Sequence, residues 1–330
     1  MLRRSVSPQF FINGRKGKGM RSVRIKAYAK LNLTLAVTGE EGGYHQIDSL
    51  VASIDLCDEI VLSKRKGKLS SVVMHGQGSE SIPPERNNAL KAAEAFSAEF
   101  GVEGADIVVY KNIPIGAGLG GSSADISGVI NGMAKLYGVK DKARIEALAE
   151  RLGSDTKYML YGGYMRMQGR GEKLTALPLK NTLHFLLFCP KGGVSAGACY
   201  KKYDELSASG EHFSKNNTQN CIDALLQENV ESGGRYLFND LFAPAQRLCP
   251  EVGQAYKEAL SFSPCGVVMT GSGSAIAALF PSREFCEWAK SRYKGKCKTI
   301  VVKTVRPEDE RVSIFRNPFA LTAKERGEED

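Results

Sequence analysis

The sequence predicts an α+β fold in two lobes. Helical and alternating apolar patterns are mixed along the chain without a strict strand–helix–strand rhythm, which disfavours a doubly wound parallel sheet. At 330 residues the chain exceeds what one core usually fills. A boundary is expected near residues 178–183, around Pro178. The expected organisation is therefore a basic, disordered tail over 1–22, an N-terminal domain over 23–180 and a C-terminal domain over 181–330.

Residues 23–29 and 32–37 read as strands, with a turn at 39–43. Two further strands are expected at 49–54 and 59–62. Residues 87–100 form a helix with alanines and Leu90 on one face. A strand at 107–110 then runs into a glycine loop, and Ile126, Val129, Ile130, Met133 and Tyr137 mark a helix beyond it. Ser122, with Asp125 three residues later, has capping-box spacing. Residues 141–152 read as a second helix. Asp141 caps it, Ile145, Leu148 and Leu152 line it, and Gly153 ends it. Strands are expected at 164–168 and 183–188, and helices at 200–206, 218–227 and 251–260. Strands at 267–270 and 275–280 flank Gly271-Ser272-Gly273. A late strand at 299–304 precedes a polar, loose end.

Composition narrows the function. A content of 42% hydrophobic and 25% charged residues is ordinary for a soluble globular protein. No apolar run approaches the roughly 20 residues that span a bilayer, so no membrane partner is expected. The net charge of +9 suggests nucleic acid until it is located. Residues 1–26 hold eight basic residues and no acid, which leaves +1 for the other 304. The excess belongs to the tail, and a nucleic-acid role for the fold is not supported. The tail reads as a short targeting segment or as a disordered extension with Met20 as the start; it has no apolar core of a secretory signal and few serines for a transit peptide, which favours the extension. The eight cysteines contain no Cys-x-x-Cys pair, and the four histidines have no metal-ligand spacing. Zinc and a disulfide framework are not expected, and buried thiols in a reducing cytoplasm are.

The loop carries the chemistry. Residues 111–125 read Lys-Asn-Ile-Pro-Ile-Gly-Ala-Gly-Leu-Gly-Gly-Ser-Ser-Ala-Asp. Between a strand and a helix N-terminus, such a loop offers backbone N–H groups to an anion, most simply a nucleotide phosphate chain. The spacing Gly116-x-Gly118-x-x-Gly121 also matches a dinucleotide fingerprint, with Asp141 twenty residues on. Pro114 breaks the required strand, however, a second helix follows where a strand should, and Asp141 is better explained as a cap. A P-loop is excluded because no Gly-Lys-Ser/Thr follows the glycines. Phosphoryl transfer also needs a cation and a group that orients the nucleophile. Lys30, with apolar flanks, is either a buried functional cation or an edge lysine facing water. Asp155 is either a catalytic carboxylate or the N-cap of the next helix.

Together these residues resemble the GHMP kinase superfamily. Three motifs stand in that family's order: Lys30-Leu31-Asn32-Leu33, the segment from Pro114 to Ser123, and Met269-Thr270-Gly271-Ser272-Gly273-Ser274. Gly43-Tyr44-His45, the 54–60 stretch, Gly169-Arg170-Gly171-Glu172, Val194-Ser195 with Tyr200 and Asp204, and Asn239-Asp240-Leu241 are similar to the branch that acts on a cytidine-diphosphate-linked methylerythritol. The resemblance covers about residues 23–305. It implies a ribosomal protein S5 domain 2-like N-terminal lobe and a ferredoxin-like C-terminal lobe. It implies ATP and Mg²⁺ as cofactors, and phosphorylation of the C2 hydroxyl of that polyol in non-mevalonate isoprenoid precursor synthesis. Asp155 would be the general base or orient the hydroxyl, and Lys30 would hold it ionised. Pro114, Gly116, Ala117, Gly118, Leu119, Gly120, Gly121, Ser122 and Ser123 would wrap the phosphates, with Ser123 near the metal. Asn88 and Lys111 would lie beside the nucleotide. Asn32, Tyr44, His45, Phe185, Gly271, Ser272 and Gly273 would meet the substrate, Tyr44 and His45 at its cytosine, although Phe185 reads equally as a core residue. A monomer or weak homodimer is expected.

The chain departs from the family pattern at two places. Ser122 replaces a glycine and Ala124 a serine, which leaves open which hydroxyl serves the metal. Thr156-Lys157 follows Asp155, and Lys157 could pair with that carboxylate and change its working pH range. A sibling kinase for homoserine, mevalonate or a sugar, and a non-catalytic nucleotide-binding protein, are the alternatives.

Overall fold

The first strand shows how the larger sheet is built. In β1 (Arg21–Asn32), Val23, Ile25, Ala27, Ala29 and Leu31 alternate into the main core, so Lys30 and Asn32 point to the other face. The chain is described from a computed structural model, over residues 21–306 and 312–316 apart from 77, 80, 81, 84–86, 212, 214 and 215. Arg21 and Ser22, expected in the tail, belong to β1; residues 1–20 lie outside the described residues.

β2 (Thr34–Glu41) turns at Gly42-Gly43 into β3 (Tyr44–Lys64). β3 is one strand of 21 residues where two were expected. It stays continuous because it is the spine of the sheet. Residues 44–52 pair with β2 and β6 (Tyr164–Gly169), residues 59–64 pair with β5 (Ala105–Tyr110), and β1 runs along residues 51–63, all antiparallel. The polar break between the expected strands is absorbed as a register slip, between Tyr28↔Cys57 and Lys30↔Ser53. A bulge of this kind re-aims neighbouring side chains, here beside Lys30. β4 (Ser71–His75), β7 (Lys173–Ala176), β9 (Phe238–Asn239) and β13 (Val312–Arg316) complete nine strands. β13, in the stretch expected to be loose, pairs antiparallel with β1. Thus β9 and β13, from beyond the boundary expected near residues 178–183, join the first sheet.

Helices α1 (Asn88–Phe100), α2 (Gly121–Tyr137), α3 (Lys142–Leu152) and α4 (Thr156–Tyr161) accompany this sheet. Phe96, Val129, Ile130 and Met133 share its core. Asp141 caps α3 by accepting from Arg144 N at 3.2 Å, and Asn87 caps α1 through Ala89 and Leu90 N. α2 begins differently. Its N-cap is Gly120 in the left-handed region, with no side-chain cap. The capping box expected from Ser122 and Asp125 does not form, because the helix starts at Gly121 and Asp125 turns inward to Lys111.

The second sheet runs β10 (Gly266–Met269), β11 (Ile276–Phe280), β8 (His184–Cys189) and β12 (Lys298–Lys303), all antiparallel. Its chain segment also carries α5 (Ala196–Ala208), α6 (Thr218–Leu226), α7 (Val230–Arg235), α8 (Phe242–Leu248), α9 (Pro250–Leu260) and α10 (Arg283–Arg292). Phe185 and Leu187 face the main core, while Leu186 and Phe188 face a second one. Burial on both sides explains why β8 reads as an unbroken apolar run. Where the sheets meet, Asp55 accepts from Lys303 N at 2.9 Å and Ile54 bridges Thr304. No helix among the described residues is long and apolar enough to cross a membrane.

Candidate active site

A cavity of about 920 Å³ lies where the glycine loop, β1, the start of β3 and the 271–272 turn converge. The loop is built by its glycines. Gly116, Gly118 and Gly120 take φ of 71°, 76° and 74°. A Cβ on Gly118 would stand 2.2 Å from the Thr270 carbonyl and 2.9 Å from that of Gly273. A Cβ on Gly120 would stand 2.4 Å from Met159 Cε. These contacts exclude a side chain at positions 118 and 120 of the loop, which is tied on both flanks. Lys30 N donates to Leu119 O and Ala275 N to Ala117 O, both at 3.0 Å. The first amide engaged within α2 is that of Ala124, bonded to Gly120 O. The N–H groups of Gly121, Ser122 and Ser123 precede it, so the helix offers an anion site toward the cavity.

Lys30 and Asp155 meet here. Lys30 Nζ lies 3.4 Å from Asp155 Oδ2, with the lysine side chain 5% and the aspartate 28% exposed. Asp155 occupies the N-cap position of α4 but makes no capping bond, which leaves its carboxylate to the cavity. Lys30 also donates to Asn32 Oδ1 at 2.5 Å. The same Oδ1 accepts from Gly271 N at 3.1 Å, while Asn32 Nδ2 donates to the buried Ser49 hydroxyl at 2.9 Å. The amide expected to touch substrate is therefore already engaged, holding the Lys30 ammonium and the 271–272 turn in register.

Lys111 lines the cavity, yet its ammonium is held by two buried carboxylates, Asp58 Oδ2 and, at 2.7 Å, Asp125 Oδ2. Asp58 Oδ1 also accepts from Asn112 N and Ile113 N, at 2.6 and 2.9 Å. The trio therefore anchors the segment that leads into the glycine loop. Burial pushes the Asp125 carboxyl up, against the pull of Lys111, to about 7. Burial would lower Lys111, but the charges of Asp125 and Asp58 hold it above the usual lysine range.

Asn88 Nδ2 donates to the Ser122 hydroxyl. The Ser123 hydroxyl has no side-chain partner among the described residues and lines the cavity. Ala124 is wholly buried in the core, so the departure there removes no hydroxyl from the site. Among the described residues, no three His, Cys, Asp or Glu side chains gather to cage a metal. The oxygen donors that do line the cavity, the Ser123 hydroxyl and the Asp155 carboxylate, are of the kind a hard cation takes.

Part of the cavity lining is aromatic. Tyr44 is 54% exposed, with the Arg170 guanidinium 3.5 Å above its ring. His45 stacks on Tyr200 at 4.6 Å and bonds Asp204 through Nε2 at 2.7 Å. The resemblance covers Arg170, Tyr200 and Asp204 but implies no role for them. The four-residue spacing of Tyr200 and Asp204 on one helix face was the available signal.

Three expectations are corrected. Phe185 is fully buried in the main core, because its β8 position alternates away from the cavity. Gly273 does not line the cavity but stands behind the loop, with its carbonyl against Gly118. Lys157 turns from Asp155 to Glu150 and, at 3.9 Å, Glu146, because the helical turn of α4 points it toward α3. Pro114, Gly116, Ala117, Gly118, Leu119, Gly120, Gly121, Ser122, Ser123, Gly271 and Ser272 all line the cavity.

The family model described as GHMP kinases N terminal domain matches residues 87–165, and that described as GHMP kinases C terminal matches 221–285. A 4-diphosphocytidyl-2-C-methyl-D-erythritol kinase of Desulfitobacterium hafniense (strain Y51) is 32% identical over 280 residues, covering 82% of this chain and 93% of the relative. A kinase of the same name from Carboxydothermus hydrogenoformans (strain ATCC BAA-161 / DSM 6008 / Z-2901) is 34% identical over 258 residues, covering 77% and 87%. A crystal structure of 4-(cytidine 5'-diphospho)-2C-methyl-D-erythritol kinase superposes with a TM-score of 0.71 at 27% identity, covering 85% of this chain and 98% of that one. The glycine loop on α2, the two-sheet fold and these likenesses over most of the chain place it in one family: it belongs to the GHMP kinases, small-molecule kinases that use ATP as substrate.

Proposed function

We propose that the chain transfers the γ-phosphoryl group of ATP to the C2 hydroxyl of 4-diphosphocytidyl-2-C-methyl-D-erythritol, in non-mevalonate isoprenoid precursor synthesis. The observation that carries this reading is the Lys30–Asp155 pair, which shares one cavity with the amide-rich start of α2 and with the aromatic lining at Tyr44, His45 and Tyr200. The two bacterial kinases that the chain resembles support the substrate.

Asp155 would accept a hydrogen bond from the C2 hydroxyl and orient it, taking its proton as the phosphoryl bond forms. Lys30, fixed by Asn32, would offset the negative charge that develops between Asp155 and the phosphate. The amides of Gly121, Ser122 and Ser123 would hold the phosphate chain. When bound with the nucleotide, Mg²⁺ would neutralise phosphate charge, with Ser123 as its protein ligand. An adjoining cavity of about 320 Å³, lined by Val72, Met74, His75 and Ile82 among others, is suited to the base of ATP. Tyr44 and His45 would meet the cytosine.

The test is a coupled kinase assay with the cytidylated polyol, mevalonate and homoserine. Turnover with the cytidylated polyol alone is expected, and Asp155→Asn should lower kcat about 10²- to 10⁴-fold. An inert cytidylated polyol with a turned-over alternative would replace the substrate. Normal turnover by Asp155→Asn would remove Asp155 from the chemistry.

A further inference from the structure

Asp204 stands on α5, in the second half of the chain, and reaches His45 on β3 in the first. Its Oδ1 lies 2.7 Å from His45 Nε2. Tyr200, one helical turn earlier on the same face, stacks on the imidazole at 4.6 Å with 21° between the planes. Tyr203 meets the same ring edge-on at 6.0 Å and 87°. One helix therefore contacts a face, an edge and one nitrogen of His45. The imidazole lines the cavity beside Tyr44, and Nδ1 makes no hydrogen bond among the described residues.

We propose that Asp204 is a positioning residue that fixes His45 as its Nε2–H tautomer and thereby selects a pyrimidine bearing an exocyclic amine over one bearing an oxo group. The proposal rests on the reading that the substrate carries a cytidine diphosphate. A carboxylate only accepts hydrogen bonds, so the nitrogen facing it must carry the proton. In the neutral ring, Nδ1 is then an acceptor. Cytosine can give it an amine N–H, whereas the corresponding oxygen of uracil would face it lone pair to lone pair. A site that leaves its polar group unpaired rejects the analogue far more strongly than one that loses only apolar contact. The alternative role, a stabilising ion pair, is the weaker one. The Asp204 side chain is 54% exposed, and exposed pairs contribute little stability.

The experiment uses the full chain, ¹⁵N-labelled at histidine, and its Asp204→Ala variant. Long-range ¹⁵N–¹H correlation reads the His45 tautomer without substrate. Kinetics then compare the cytidine- and uridine-diphosphate forms of the polyol. The wild type is expected to hold His45 as Nε2–H and to prefer the cytidine form by about 10²-fold or more in kcat/KM. Asp204→Ala should raise the Nδ1–H share of His45 from near zero toward the minor share a free imidazole carries, and should shrink that preference several-fold, mainly by raising KM for the cytidine form. Asp204→Glu should restore both readouts. An unchanged tautomer and an unchanged preference in Asp204→Ala would overturn the proposal. If the wild type turns over neither polyol, the cytidine reading falls, and the tautomer comparison alone decides whether Asp204 governs His45.

Discussion

Replacing Lys111 by Met tests whether the buried trio anchors the glycine loop. The Asp58 side chain is wholly buried and that of Asp125 is 8% exposed, and both bond to one ammonium. Removing that ammonium strands two carboxylates, and breaking a buried pair costs about 3–5 kcal/mol. Entropy of unfolding near 2.1 cal/mol/K per residue makes this a Tm loss of about 4–7 °C for a chain of 330 residues. The loss should depend on pH. Burial already holds Asp125 up, to about 7, and without Lys111 it rises further. The native variant then keeps a proton that the unfolded chain releases above about pH 4, so its stability falls as pH rises. The wild type has no such slope from Asp125 once pH passes about 7. From pH 7 to 8.5 the deficit should therefore widen by up to about 2 kcal/mol. Urea unfolding at several pH values reads this directly. Lys111→Met with Asp125→Asn should lose the slope and recover part of the stability, because Asp58 keeps its two backbone donors. A deficit below about 1 kcal/mol, or one that stays flat from pH 7 to 8.5, would refute the reasoning.

Three further outcomes are expected. Gly118→Ala combines a left-handed φ of 76° with a Cβ 2.2 Å from the Thr270 carbonyl. It should destabilise by about 1–3 kcal/mol and lower kcat/KM for ATP about tenfold or more, so wild-type kinetics would contradict the loop geometry. Lys157→Ala should leave kcat within about twofold and the pH–rate profile in place, because its ammonium serves Glu150 and Glu146; a displaced profile would return Lys157 to the site. Burial would raise Asp48, but hydrogen bonds from Arg166 and Asn216 and the Arg166 charge hold it below the usual range. That stability is present above about pH 4 and is lost as pH falls through the lowered value. Arg166→Met should therefore destabilise at neutral pH by about 3–5 kcal/mol, with a deficit that shrinks on acidification; a deficit independent of pH would count against the pairing.

The chemistry that depends on neighbours in sequence was legible in the chain. The glycine loop between a strand and a helix and the Asp141 cap are properties of short windows, where backbone sterics act, whereas Lys30 reads equally as a buried cation or an edge lysine until β1 runs on through it. Tertiary structure decided what depends on distant partners. The Asp58 that claims Lys111 is 53 positions away, and the Asp204 that claims His45 is 159 away. No periodicity relates such pairs. β3 reads as two strands because its polar middle resembles a turn, and only its partners on both sides keep it whole. The apolar run of β8 fits either face, so only the packing of two cores decides that Phe185 points away from the cavity. Alternation identifies a face when one side is polar, and it is silent when both sides are buried.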